Sequence, residues 1–99
     1  MAKSIIQRKD GTCYLCNLLY HNDRQQSIET HHAFPGSRRK ASGRYGLTVY
    51  LCPGHHTQSS EAVHRNNQNL LLIKQIAQRA FEAKHSHELF MKTFGKNYL

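Results

Sequence analysis

Eight histidines and three cysteines fall in 99 residues, and their spacing is where chemistry is to be sought. Cys13 and Cys16 stand with two residues between them in Asp10-Gly11-Thr12-Cys13-Tyr14-Leu15-Cys16, a stretch that reads as a tight turn between two thiols. Two thiolates so placed can chelate one tetrahedral ion. Taken alone, the pair is equally two small buried apolar side chains or a redox couple. A second half lies far along the chain in Cys52-Pro53-Gly54-His55, where Cys52 and His55 repeat the spacing. Together the halves read as a split Cys₃His structural zinc site.

A second set is rich in imidazole. Glu29-Thr30-His31-His32 ends a predicted strand. Neighbouring strand residues point to opposite faces. Either the strand bulges there or one imidazole alone faces a common site, unless the pair sits just past the regular strand. His56 adjoins the zinc half-site, and His64 follows at a distance of a little over two helical turns, so the two share a face if the segment is helical throughout. The plainer alternative for His64 is an exposed polar residue ahead of a long helix. Imidazoles in a site with few protein ligands leave room around a divalent ion for water and phosphate. A histidine left unligated has the proton affinity of a general base at neutral pH.

These residues need elements to position them. Ser27 to His32 and Leu47-Thr48-Val49-Tyr50-Leu51 read as strands, the second on its β-branched and aromatic content. Between them, 33–46 reads as a basic loop punctuated by Pro35, Gly36, Gly43 and Gly46. His21 to Arg24 reads as a loop tip after the short apolar run Leu18 to Tyr20. A short helix is expected from Gly54 to about Val63. Helix-capping asparagines at 66–69 precede a stripe of Leu70, Ile73, Ala77, Ala80 and Phe81, which predicts a helix to about Lys84. A shorter one follows Ser86, with Phe90, Met91 and Phe94 on one face and Gly95 as its stop. The expected fold class is α+β, as one domain over 1–99 with the core at about 13–64 and C-terminal helices at about 67–95.

Composition sets the frame. So short a chain buries a modest core and often needs a metal, a disulfide or a partner. The cysteine count is odd, so a disulfide framework cannot use them all. Fourteen Lys and Arg against six Asp and Glu, a formal charge of +8, favour an acidic partner, with nucleic acid first. The beginning of the chain, Met1-Ala2-Lys3-Ser4, has no apolar stretch of signal-peptide length. No run reaches the roughly 20 apolar residues of a membrane span. The expectation is a cytoplasmic protein with reduced thiols.

The order Cys-x-x-Cys, Glu-x-His-His strand, Gly- and Arg-rich loop, and Tyr45-Gly46-Leu47-Thr48-Val49-Tyr50-Leu51-Cys52-Pro53-Gly54-His55-His56 resembles the HNH (His-Me finger, ββα-metal) endonucleases. It is similar to small phage-encoded members, including the recombination-enhancing, RecA-dependent nucleases; for a phage protein the compartment is the host cytoplasm. The resemblance covers about 13–64. It implies a ββα-metal core with a zinc knuckle of Cys13, Cys16 and Cys52, with His55 where many members carry a fourth cysteine. It implies His31 and His56 as ligands of a catalytic divalent metal (Mg²⁺, Mn²⁺, Ni²⁺ or Zn²⁺) and His32 as general base. Glu29 is an alternative ligand. His64 has no firm counterpart, and its position suggests a further ligand. The activity implied is phosphodiester hydrolysis in DNA, with Arg38, Arg39, Lys40 and Arg44 on the phosphates. The family's middle Asn is missing: the region reads Arg44-Tyr45-Gly46-Leu47, so a backbone carbonyl would have to orient His32. The rival reading is a non-catalytic, zinc-stapled nucleic-acid-binding module. A third is a module that engages a recombination or packaging protein through an apolar face near Phe90 to Phe94.

Overall fold

The computed structural model describes residues 2–99; Met1, in the amino-terminal reading above, lies outside the described residues. The fold is α+β: helix α1 (Tyr14–Tyr20), strand β1 (Glu29–His32), helix α2 (Arg39–Arg44), strand β2 (Thr48–Leu51), and helices α3 (Asn67–Glu82) and α4 (His87–Phe94). The two strands form an antiparallel pair in which Glu29 faces Leu51 and His32 faces Thr48. Among the described residues no helix is long and apolar enough to cross a membrane.

Local chemistry explains the elements. Cys13 caps α1, its sulfur accepting the Cys16 amide, so the tight turn expected between the thiols is the first turn of a helix that continues through the apolar run. His21 closes α1 in the left-handed region, with φ 54°. The basic segment after β1 is not all loop. A single 3₁₀ turn (Gly36–Arg38) leads into α2, which turns Ser42 and Gly43 inward. The Ser42 hydroxyl accepts the Phe34 amide at 3.0 Å and donates to the Phe34 carbonyl at 3.2 Å, so a polar residue anchors the excursion. Gly46, at φ 70°, passes so close to the Lys3 carbonyl that a side chain there would collide with it.

After β2 the chain makes one wide π-type turn (Gly54–Gln58), where a helix to about Val63 was expected. Helices α3 and α4 follow the predicted stripes. Asn66 and Ser86 cap them by accepting the Asn69 and Leu89 amides, both at 3.0 Å, and Gly95 stops α4 at φ 78°.

The core joins Leu47, Val49 and Leu51 of the β2 region to Ile73, Ala77 and Phe81 of α3 and Phe90 and Phe94 of α4. Phe34 closes on Phe94 with ring centroids 4.5 Å apart. Phe90 and Phe94 are 0% and 3% exposed, which corrects the idea of a free apolar face there. Each buried ring contributes roughly 1.5–3 kcal/mol, and sealing the sheet consumes that face. The large apolar side chains left exposed are Leu18, Leu19, Tyr20, Leu71 and Leu99.

Candidate metal centres

The π-type turn after β2 is the hub. Its His56 amide donates to the Cys52 carbonyl at 2.9 Å and its Ser59 amide to the Gly54 carbonyl at 3.1 Å. Adjacent side chains on such a turn leave it in different directions. His55 and His56 therefore leave the same turn toward different groups of donors.

His55 joins Cys13, Cys16 and Cys52, with all four donor atoms within 4.8 Å of one another. His55 Nδ1 lies 3.6 Å from the Cys13 sulfur, 3.4 Å from Cys16 and 3.5 Å from Cys52, and the Cys16 and Cys52 sulfurs are 3.8 Å apart. A tetrahedral zinc with its usual bond lengths sets sulfur–sulfur separations near ~3.8 Å and sulfur–nitrogen separations near ~3.5 Å. The group fits that ion. The cysteines are free thiols, not a disulfide. Burial first, and then the neighbouring Cys13 and Cys52 sulfurs, push the Cys16 thiol up to about 12, so without a cation this thiol keeps its proton, and a dication would let the sulfurs ionise together. Hydrogen bonds to sulfur complete the knuckle, from the Cys16 amide to Cys13 at 3.4 Å and from the Gln26 side chain to Cys16 at 3.5 Å. The Tyr20 ring stacks over His55 at 6.1 Å, and its hydroxyl is held by Glu61. A Cys₃His group able to hold a structural zinc thus ties α1 to the end of β2.

His31, His56 and His64 form the second group, again with one donor atom each within 4.8 Å of the others. His31 arrives from β1, His56 from the turn, and His64 from the segment that follows, whose amide reaches the His56 carbonyl at 3.4 Å. The Nε2 atoms of His56 and His64 are 3.2 Å apart. His31 is buried, and its Nε2 has no hydrogen-bond partner among the described residues. A buried polar atom without a partner needs an explanation, and a cation shared with His56 and His64 would supply one. Burial above all, then the neighbouring His64, His56, His32 and Lys74, pushes His31 down to about 3. Its ring is neutral at pH 7, as a metal ligand must be. Burial and His56 also lower His64.

The alternation along β1 answers the question of the adjacent histidines. His31 enters the triad, while His32 stays out of it and borders two cavities. The larger, about 990 Å³, runs past Thr30 and His32 to Arg39, Lys40 and Arg44. The smaller, about 240 Å³, brings His32 together with His31, His56, His64 and Arg39. Burial and the Arg39 charge lower His32, favouring its neutral form. Its ring makes no protein hydrogen bond among the described residues, so the loop carbonyl expected to orient it is not seen in that role.

Two further placements bear on these groups. Arg38 is not among the residues lining the larger cavity; its guanidinium lies against Gly95 at the end of α4. Glu29 is not one of the triad's converging donors; its carboxylate accepts from His56 Nδ1 at 2.8 Å. No protein-family model matches the chain, and neither a curated protein nor a solved structure does.

Proposed function

We propose that this protein is a metal-dependent DNA endonuclease of the HNH, ββα-metal type. The observation that carries the reading is the triad His31, His56 and His64, with an unpartnered buried nitrogen, opening beside a cavity edged by Arg39, Lys40 and Arg44. His32 borders both. The motif resemblance gives His31 and His56 the ligand role and His32 the role of base; His64 has no firm counterpart in it and joins them by its place in the structure.

His31, His56 and His64 would hold the divalent cation. When bound, such an ion neutralises charge that develops on the phosphate and on the leaving oxygen. Arg39, Lys40 and Arg44 neutralise neighbouring backbone phosphates and hold the strand, an interaction with little base preference. His32, kept neutral by burial and by Arg39, takes a proton from the water that attacks phosphorus, and the bond to the 3′ oxygen breaks, the departing oxygen taking a proton from solvent to leave as the 3′ hydroxyl.

The test is nicking of supercoiled plasmid by zinc-loaded protein with Mg²⁺, Mn²⁺ or Ni²⁺. His32→Ala should keep its zinc and its DNA affinity and lose roughly 10²–10⁴-fold in rate, with no rescue by added metal. A His32→Ala variant that cuts at the wild-type rate overturns the assignment of the base. The lack of a hydrogen bond to the His32 ring among the described residues favours the second reading, a zinc-stapled nucleic-acid binder without catalysis. That reading predicts binding and no nicking with any of the three metals.

A further inference from the structure

Glu29 sits on the same strand as His31, two residues earlier, so both side chains leave one face of β1. Its partner across the sheet is Leu51, the last residue of β2 before the chain enters Cys52 and the turn that carries His56. The strand register therefore brings a carboxylate to the far side of the His56 ring. Glu29 Oε1 lies 2.8 Å from His56 Nδ1. A carboxylate only accepts, so in that pair Nδ1 carries the hydrogen. The lone pair of the neutral ring is then on Nε2, the atom that stands 3.2 Å from His64 Nε2.

We propose that Glu29 is a positioning residue that sets the tautomer and the plane of the His56 ring, so that Nε2 is presented as a ligand to a divalent cation. The inference rests on the reading of His31, His56 and His64 as a cation site. It takes the place of the alternative in which Glu29 itself ligates. A carboxylate behind a ligating imidazole also raises the basicity of the ligating nitrogen, and losing it typically weakens metal binding by roughly 10–100-fold. His31 and His64 receive no carboxylate among the described hydrogen bonds, so the effect belongs to His56 alone.

The experiment uses the full chain with zinc in the Cys₃His group and Mn²⁺ as the added probe, since Mn²⁺ competes poorly for thiolates. Long-range ¹⁵N–¹H correlation spectra at neutral pH, before Mn²⁺ is added, report the tautomer of His56. Wild type should show the Nδ1–H form. Glu29→Gln, whose amide oxygen still accepts, should keep it. Glu29→Ala should shift toward Nε2–H. Mn²⁺ affinity should fall roughly 10–100-fold in Glu29→Ala and less in Glu29→Gln. Glu29 is half exposed, so its truncation should leave the melting temperature and zinc content near wild type.

A wild-type His56 found as the Nε2–H form overturns the proposal. So does a Glu29→Ala variant whose tautomer and Mn²⁺ affinity are unchanged while wild type binds Mn²⁺. Equal loss of Mn²⁺ in the Gln and Ala variants with the tautomer intact overturns it in favour of direct ligation. Wild-type protein that takes up no Mn²⁺ overturns the cation-site reading itself, and that outcome is recognised by an Nδ1–H tautomer that still depends on Glu29.

Discussion

His55 and His56 are joined by one peptide bond and serve two donor groups built on different terms. The Cys₃His group is closed. It offers four ligands at tetrahedral separations, amide hydrogens on its sulfurs, and an aromatic ring stacked over its histidine. The His₃ group is open. One ring is buried, one is half-buried and one is exposed, and it adjoins a cavity with an arginine on its edge. Ligand number and closure separate structural sites from sites that can accept water or substrate. The shared turn adds a dependence between them: whatever fixes His55 also fixes the backbone from which His56 departs.

The largest effect that sharpens the contrast is on folding. Apparent zinc binding in small modules is worth on the order of 10 kcal/mol, comparable to the whole stability of a domain. Cys13→Ser or Cys52→Ser should abolish the cooperative melting transition and the bound zinc. His64→Ala, at an exposed member of the other group, should change neither. A Cys52→Ser protein that keeps its melting temperature would remove the structural role of the first group, and with it the contrast.

Next in size is the effect on activity and its rescue. On the endonuclease reading, His31→Ala or His56→Ala should leave zinc in place and lower nicking by weakening the second ion, so raising Mn²⁺ should restore part of the rate. Activity that stays lost at every Mn²⁺ concentration, with zinc and fold intact, would mean that these rings do more than ligate.

Acid distinguishes the two groups in another way. Burial takes His31 from 6.5 to about 3 in the folded protein. The unfolded chain therefore binds the proton first as the pH falls. The stability tied to the neutral ring is complete above about pH 6.5 and is lost between there and about pH 3. The melting temperature of wild type should fall more steeply over that window than that of His31→Gln. Any zinc held by the Cys₃His group would be surrendered by both proteins as its thiolates protonate, so the difference between the slopes isolates the imidazole. Identical slopes would show that His31 has no such depressed proton affinity.

Much of the architecture is legible in the residues, and the reasons differ by element. Ligand pairs with two residues between them are local, so Cys13, Cys16, Cys52 and His55 announce a chelate before any fold is known. Helices α3 and α4 declare themselves through apolar periodicity and through Asn66, Ser86 and Gly95 at their ends. Helix α2 does not, because its inward face is Ser42 and Gly43, and a polar residue hydrogen-bonded to Phe34 leaves no apolar stripe to read. Helix α1 is hidden because its cap is a cysteine sulfur, a residue read for its metal chemistry and not for its backbone. The division of labour between His31 and His32 depends on strand register, and the partner of Glu29 on a turn that a helical period does not describe. Non-local geometry decides both.

The smallest expected effect concerns DNA, and here the structure sharpens which charges to test. In the sequence Arg38, Arg39, Lys40 and Arg44 form one basic run. In the fold they divide. Arg39, Lys40, Gly43 and Arg44 line the larger cavity; Arg39 with Gly43 and Lys40 with Arg44 are each four residues apart and so are neighbours on the surface of α2. Arg38 packs its guanidinium against Gly95, where it meets the carbonyl end of α4 and a favourable helix dipole. On the endonuclease reading, Arg39→Ala combined with Arg44→Ala should flatten the dependence of log affinity on log salt by about two units, close to one for each phosphate that is no longer neutralised. Binding should weaken similarly on unrelated sequences. Arg38→Ala should leave the slope unchanged and lower stability by about 0.3–1 kcal/mol, the usual scale of a charge at a helix end. A slope that flattens with Arg38→Ala and not with the double variant would move the DNA path away from the His32 side of α2 and toward the end of α4. The triad would then face no bound phosphate, and the proposed cutting site would lose its substrate.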